Sequence, residues 1–86
     1  MLKIYGSMLC PDCVECCNVL ENKKIAYVFL EFGDDLRNLK EFLSLRDTEE
    51  VFSEIKMNGK IGIPCIVSED GKVILDWEEY VSQDKS

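Results

Sequence analysis

The chain has no histidine, only two prolines and five glycines among its 86 residues, and ten basic side chains against seventeen acidic ones. The missing imidazole removes Cys–His nucleophilic catalysis and every metal site that needs a histidine ligand. The shortage of positive charge, a formal net of −7, removes the electrostatic footprint by which proteins hold phosphate backbones or anionic lipid. Neither nucleic acid nor a membrane is therefore expected as a partner. No stretch approaches the ~20 apolar residues of a membrane span, and the apolar run within Met1–Gly6 is too short for a signal peptide. A soluble, cytoplasmic protein is the expectation. The length suits one globular domain, 1–86, with a polar tail from about Ser82. Acidic pairs at Asp34-Asp35, Glu49-Glu50 and Glu78-Glu79 are dispersed, as solubility and helix starts require.

Cysteine, by contrast, is abundant. Five in so short a chain is heavy for a reducing compartment, and an odd number without a secretory signal argues against a disulfide-stapled scaffold. Reactive or metal-binding thiols are the leading ideas.

Hydrophobic spacing predicts the elements. Met1–Tyr5 alternates apolar and polar and stops at Gly6, a short strand opening into a loop. From Pro11 to about Asn22 the pattern is helical: Pro11 suits the first position, Asp12 the positive end, and Cys13, Cys16 and Leu20 share a face. Residues 26–32 read as a strand covered on both faces. Leu36, Leu39, Phe42 and Leu43 mark a second helix with Asp35 as N-cap. Asp47 and Glu50 resemble a capping box for an extra helix carrying Val51, Phe52 and Ile55 and ended by Asn58-Gly59. Residues 65–68 and 72–75 flank Asp70-Gly71 as a hairpin, and Asp76–Tyr80 reads as a capped terminal helix anchored by Trp77 and Tyr80. Tyr5, Phe29, Phe42 and Phe52 are assigned to the core. This order predicts an α/β fold in which helices flank a mixed sheet.

The chemistry concentrates at Cys10-Pro11-Asp12-Cys13, a Cys-x-x-Cys motif between a strand and a helix. A thiolate is the nucleophile in disulfide exchange, and a helix N-terminus favours its charge, lowering the first cysteine's pKa. Cys13, one turn on, can then resolve the mixed disulfide. Cys-x-x-Cys also serves metal sites, so a zinc or iron–sulfur carrier or sensor using Cys10, Cys13 and either Cys16 or Cys65 is the alternative, and a non-catalytic interaction module is a third. Asp12 either restrains the neighbouring thiolate, giving a reducing couple, or only helps start the helix. Cys16 and Cys65 are expected as buried small hydrophobes, and Cys17 as partly exposed at the edge of its helix.

These pieces, with Ile63-Pro64 before the hairpin, resemble the glutaredoxins, specifically the small bacterial glutaredoxin-like proteins with Cys-Pro-Asp-Cys, over essentially the whole chain. The resemblance implies a thioredoxin-like (glutaredoxin) fold with a four-stranded mixed sheet and one extra helix before a cis-proline at Pro64. It also implies a dithiol–disulfide oxidoreductase that reduces protein or small-molecule disulfides. Cys10 and Cys13 would be its catalytic residues, and Pro11, Asp12, Ile63 and Pro64 would contact substrate. Neither cofactor nor metal is implied. The partners are a disulfide-containing protein substrate and an unidentified thiol reductant. Three departures stand out: Ser7 replaces the lysine three residues before the first cysteine, Gly62-Ile63-Pro64 replaces Thr-Val-Pro, and Asp76-Trp77 replaces a double glycine. The lysine and the glycines belong to the family's glutathione site, so their replacement counts against glutathione use.

Overall fold

The computed structural model describes residues 1–83. In chain order the elements are β1 (Leu2–Gly6), α1 (Pro11–Asn22), β2 (Tyr27–Glu31), α2 (Leu36–Thr48), a 3₁₀ turn (Glu50–Phe52), α3 (Ser53–Met57), β3 (Cys65–Val67), β4 (Val73–Ile74) and α4 (Trp77–Gln83). The strands form one mixed sheet in the order β2-β1-β3-β4. β2 lies parallel to β1, joined through α1, whereas β1–β3 and β3–β4 are antiparallel.

Because side chains alternate along a strand, the sheet has two apolar faces and each gathers its own layer of helices. Leu2 and Ile4 of β1 and Ile66 of β3 pack with Cys16 and Leu20 of α1 and with Trp77 and Val81 of α4. Tyr5 and Cys65 point the other way, into Phe42 of α2 and Phe52 of the 3₁₀ turn. The Phe42 and Phe52 rings meet edge to face at 5.7 Å between centroids. Burying such an aromatic side chain is worth about 1.5–3 kcal/mol, so each layer is anchored by a few large groups. Phe29, expected in the core, is half-buried against the α1 layer.

The start and stop chemistry is largely as expected. Asp35 caps α2, its side chain accepting from the Arg37 N–H at 2.9 Å. Asp76 Oδ1 accepts from the Glu79 N–H at 3.2 Å and so caps α4. At the end of α3, the N–H groups of Gly59 and Lys60 return to the carbonyls of Lys56 and Ile55, a Schellman closure that needs the positive φ of Gly59. In the hairpin, the Gly71 N–H bonds the Ser68 carbonyl at 2.9 Å.

Five expectations are corrected. β2 is an edge strand with none of its residues fully buried, because it has a neighbouring strand on one side only. On α2 the buried side chain is Phe42, flanked by half-buried Leu39 and Leu45, while Leu36 and Leu43 are exposed. That stripe carries the helix through to Thr48, so Asp47 lies inside its last turn and cannot adopt a cap's extended backbone; no Asp47–Glu50 capping box forms. The extra helix is consequently a 3₁₀ turn running into the short α3. Finally, the tail expected from about Ser82 begins as helix, since α4 runs to Gln83, and its remainder, 84–86, lies outside the described residues. Among the described residues no helix is long and apolar enough to cross a membrane.

Candidate active site

Cys10 stands at the N-cap of α1 with extended backbone (φ −95°, ψ 118°), and Pro11 occupies the first helical turn, where a missing N–H costs nothing. The approach to it is a tight turn: the Cys10 N–H bonds the Ser7 carbonyl at 3.0 Å, and the Leu9 N–H bonds Ser7 Oγ at 3.1 Å. Glu31, at the end of β2, ties this turn to the sheet through Oε1, which accepts the Met8 N–H at 2.9 Å. Cys10 is half-buried, Asp12 and Pro11 are exposed in the first turn, and Leu9 beside them is 95% exposed. Cys10 thus sits, only partly covered, at the positive end of α1.

Cys13 is fully buried beneath it. Burial is the main reason its thiol is pushed up from the ordinary value of 9.0; a hydrogen bond to Cys10 and the Cys10 charge push the same way, while the Ser7 backbone N–H pulls it down. Cys13 thus lies one turn along α1 from Cys10, out of contact with solvent. Gly6 explains how Cys13 fits. A Cβ on Gly6 would lie 2.6 Å from Cys13 Sγ, so β1 ends in glycine because the sulfur occupies that space.

Pro64 reaches the same place from the other side. The Ile63–Pro64 bond is cis, as the resemblance implies, and Pro64 is buried with Ile63 half-buried beside it. Tyr5 faces Cys65 across the β1–β3 pair, so one further step along each strand sets Pro64 beside Gly6, against which Cys13 rests. The fold thereby gathers Cys10, Pro11, Asp12, Cys13, Ile63 and Pro64 at one end of the central strands.

The remaining thiols are kept apart from this pair. Cys16 is buried in the α1 layer and Cys65 in the α2 layer, on opposite faces of the sheet, and burial pushes each up to about 12. Cys17, expected to be partly exposed, is 3% exposed; burial pushes its thiol up, and the Tyr27 hydroxyl nearby donates to the Glu21 carboxylate. Among the described residues no three cysteine or acidic side chains converge on a position that could hold a metal ion.

Sequence reasoning read Gly6 only as a strand stop and gave Ser7, Glu31 and Arg46 no role in positioning the site. Arg46, in the last turn of α2, reaches the loop before Pro64, where Nε donates to the Ile61 carbonyl at 3.0 Å and Nη2 to the Lys60 carbonyl at 2.7 Å. Only the Gly6–Cys13 pairing carried a usable signal, a glycine ending a strand immediately before a Cys-x-x-Cys loop.

An uncharacterized protein of Haemophilus influenzae is 37% identical over 73 residues, which cover 85% of this chain and 85% of that one. No protein-family model and no solved structure matches.

Proposed function

The chain belongs to the family of this Haemophilus influenzae protein, and from the geometry of its site we propose that it is a glutaredoxin-like dithiol–disulfide oxidoreductase of thioredoxin-like fold, acting in the reducing cytoplasm. The observation that carries this reading is the placement of a half-buried Cys10 at the N-cap of α1 with Cys13 fully buried one turn on.

The steps follow from that placement. The Cys10 thiolate attacks one sulfur of the substrate disulfide, forming a mixed disulfide and releasing the other sulfur as a thiolate. Capping Cys10 removes both its charge and its acceptor, two of the causes that keep the proton on Cys13, whereas the Ser7 N–H that favours the Cys13 thiolate remains. Cys13 can then give up its proton to solvent or to the departing thiolate and attack Cys10 Sγ. That releases the second substrate thiol and leaves a Cys10–Cys13 disulfide, two electrons having passed to substrate. A substrate chain would lie along the Ile63-Pro64 backbone, with exposed Leu9 and Met8 at the rim. A separate thiol reductant returns the protein to the dithiol.

The departures at the glutathione positions also have structural counterparts. Ser7 is spent on the turn before Cys10, and Asp76 caps α4 where the double glycine would stand. A polypeptide disulfide fits this site better than glutathione. Cys16 and Cys65, in opposite layers of the sheet, cannot both join Cys10 and Cys13 in one cluster.

A redox titration with mass-tagged thiol labelling on protein purified without oxygen, its metal content assayed, tests the proposal. One two-electron transition that disappears in Cys10→Ser is expected. Stoichiometric zinc or iron that shields Cys10 and Cys13 from labelling until stripped would overturn it.

A further inference from the structure

The segment between α3 and β3, residues 58–64, is the part of the site with least regular structure, and four separate devices define its path. The Schellman closure at Gly59 holds its start. Gly62, at φ +96°, lies so close to the Phe52 ring that a Cβ would stand 2.8 Å from it. Pro64 is buried at its end. Between these, Lys60 and Ile61 are exposed, and it is here that Arg46 crosses from α2.

In an extended strand consecutive carbonyls point in opposite directions. The Lys60 and Ile61 carbonyls instead both accept from one edge of one guanidinium, at 2.7 and 3.0 Å. The planar fork of arginine matches two adjacent acceptors, which the point charge of lysine cannot do with fixed geometry. The contact also spans about fifteen residues, tying the segment to a long helix rather than to its own neighbours. Resting on the redox reading above, we infer that Arg46 is a positioning residue for substrate. Its fork selects the bend at Lys60-Ile61 and so presets the Gly62–Pro64 backbone against which a polypeptide disulfide docks. The extra helical segment is then part of the same device, since Phe52 supplies the surface on which Gly62 rests.

The test compares two oxidants of the reduced protein. Insulin presents its disulfides on polypeptide chains, whereas dithiobis-nitrobenzoate needs only the Cys10 thiolate. Arg46→Met, which keeps the aliphatic stem, should lower the second-order rate constant with insulin by about tenfold, as expected when a substrate-positioning surface shifts, and leave that with dithiobis-nitrobenzoate within about twofold. Arg46→Lys, retaining charge without the fork, should recover little of the loss. Parallel falls with both oxidants, no fall with either, or full recovery in Arg46→Lys would overturn the inference. Insulin reduction that persists in Cys10→Ser would instead overturn the redox reading itself.

Discussion

Replacing Gly6 with alanine probes the packing that seats the resolving thiol. The new Cβ would lie 2.6 Å from Cys13 Sγ, about 1 Å inside an ordinary carbon–heavy-atom contact. Its next neighbours, two atoms of the Phe29 ring, stand at 3.5 Å, which is normal van der Waals separation. Gly6 is a regular β1 residue, so alanine is not strained by its backbone; on that account alone it would stabilise the fold by about 0.4–1 kcal/mol through the unfolded chain. The sulfur, however, is fully buried and cannot simply swing into solvent. Overpacking of this kind costs about 1–3 kcal/mol, and each kcal/mol lowers Tm by about 4–8 °C in a domain of this size. Urea unfolding in reductant, followed by the fluorescence of the single tryptophan, buried Trp77, would measure it. The decisive comparison is the same change in a Cys13→Ala background, where no sulfur remains to clash. There Gly6→Ala should be neutral or slightly stabilising, giving a coupling of about 2 kcal/mol between the two positions. An equal cost in both backgrounds would refute the assignment of this glycine to the thiol.

Under native reducing conditions at neutral pH, iodoacetamide should modify Cys10 alone, and all five cysteines only after unfolding; mass spectrometry showing native modification of Cys13 or Cys17 would contradict the burial described. Alkaline stability follows from Cys16 and Cys65, whose thiols are pushed from 9.0 up to about 12 by burial. Their folded-state pKa values are raised, so above pH 9 the unfolded chain binds fewer protons than the native one. The resulting stability is complete below pH 9 and declines as pH rises toward 12, by about 1.4 kcal/mol per pH unit for each thiol. Cys65→Ala should flatten that slope by one thiol's share in pH-dependent urea titrations, and an unchanged slope would count against the shift. Gly62→Ala should destabilise more than Gly71→Ala: both have positive φ, but a Cβ at Gly71 meets open space whereas at Gly62 it strikes the Phe52 ring. Equal losses in thermal unfolding would show that backbone conformation alone matters there.

Much of the architecture follows from local patterning, because periodicity and cap chemistry act over a few residues. Pro11 and Asn22 bound α1 as its composition predicts, Asp35 and Asp76 cap their helices, and Asn58-Gly59 closes α3. The Cys10–Cys13 motif, placed at a helix start after a strand, was likewise readable, since its chemistry depends on two residues' spacing and one helix end. Local signals misled where a competing long-range contact prevailed. Asp47-Thr48-Glu49-Glu50 has the composition of a helix start, yet α2, with Leu45 of its last turn packed against the Phe42–Phe52 cluster, runs on through Thr48.

By itself, then, the sequence determined which segments become helix or strand and which pair of thiols shares a helix N-terminus. Tertiary structure alone decided what surrounds that pair. It brings Gly6 under Cys13 and sets the sheet between Cys16 and Cys65; it also carries Arg46 to the Lys60-Ile61 carbonyls. Each of these contacts joins residues from different elements, whose meeting depends on strand order and layer packing rather than on any local preference of the chain.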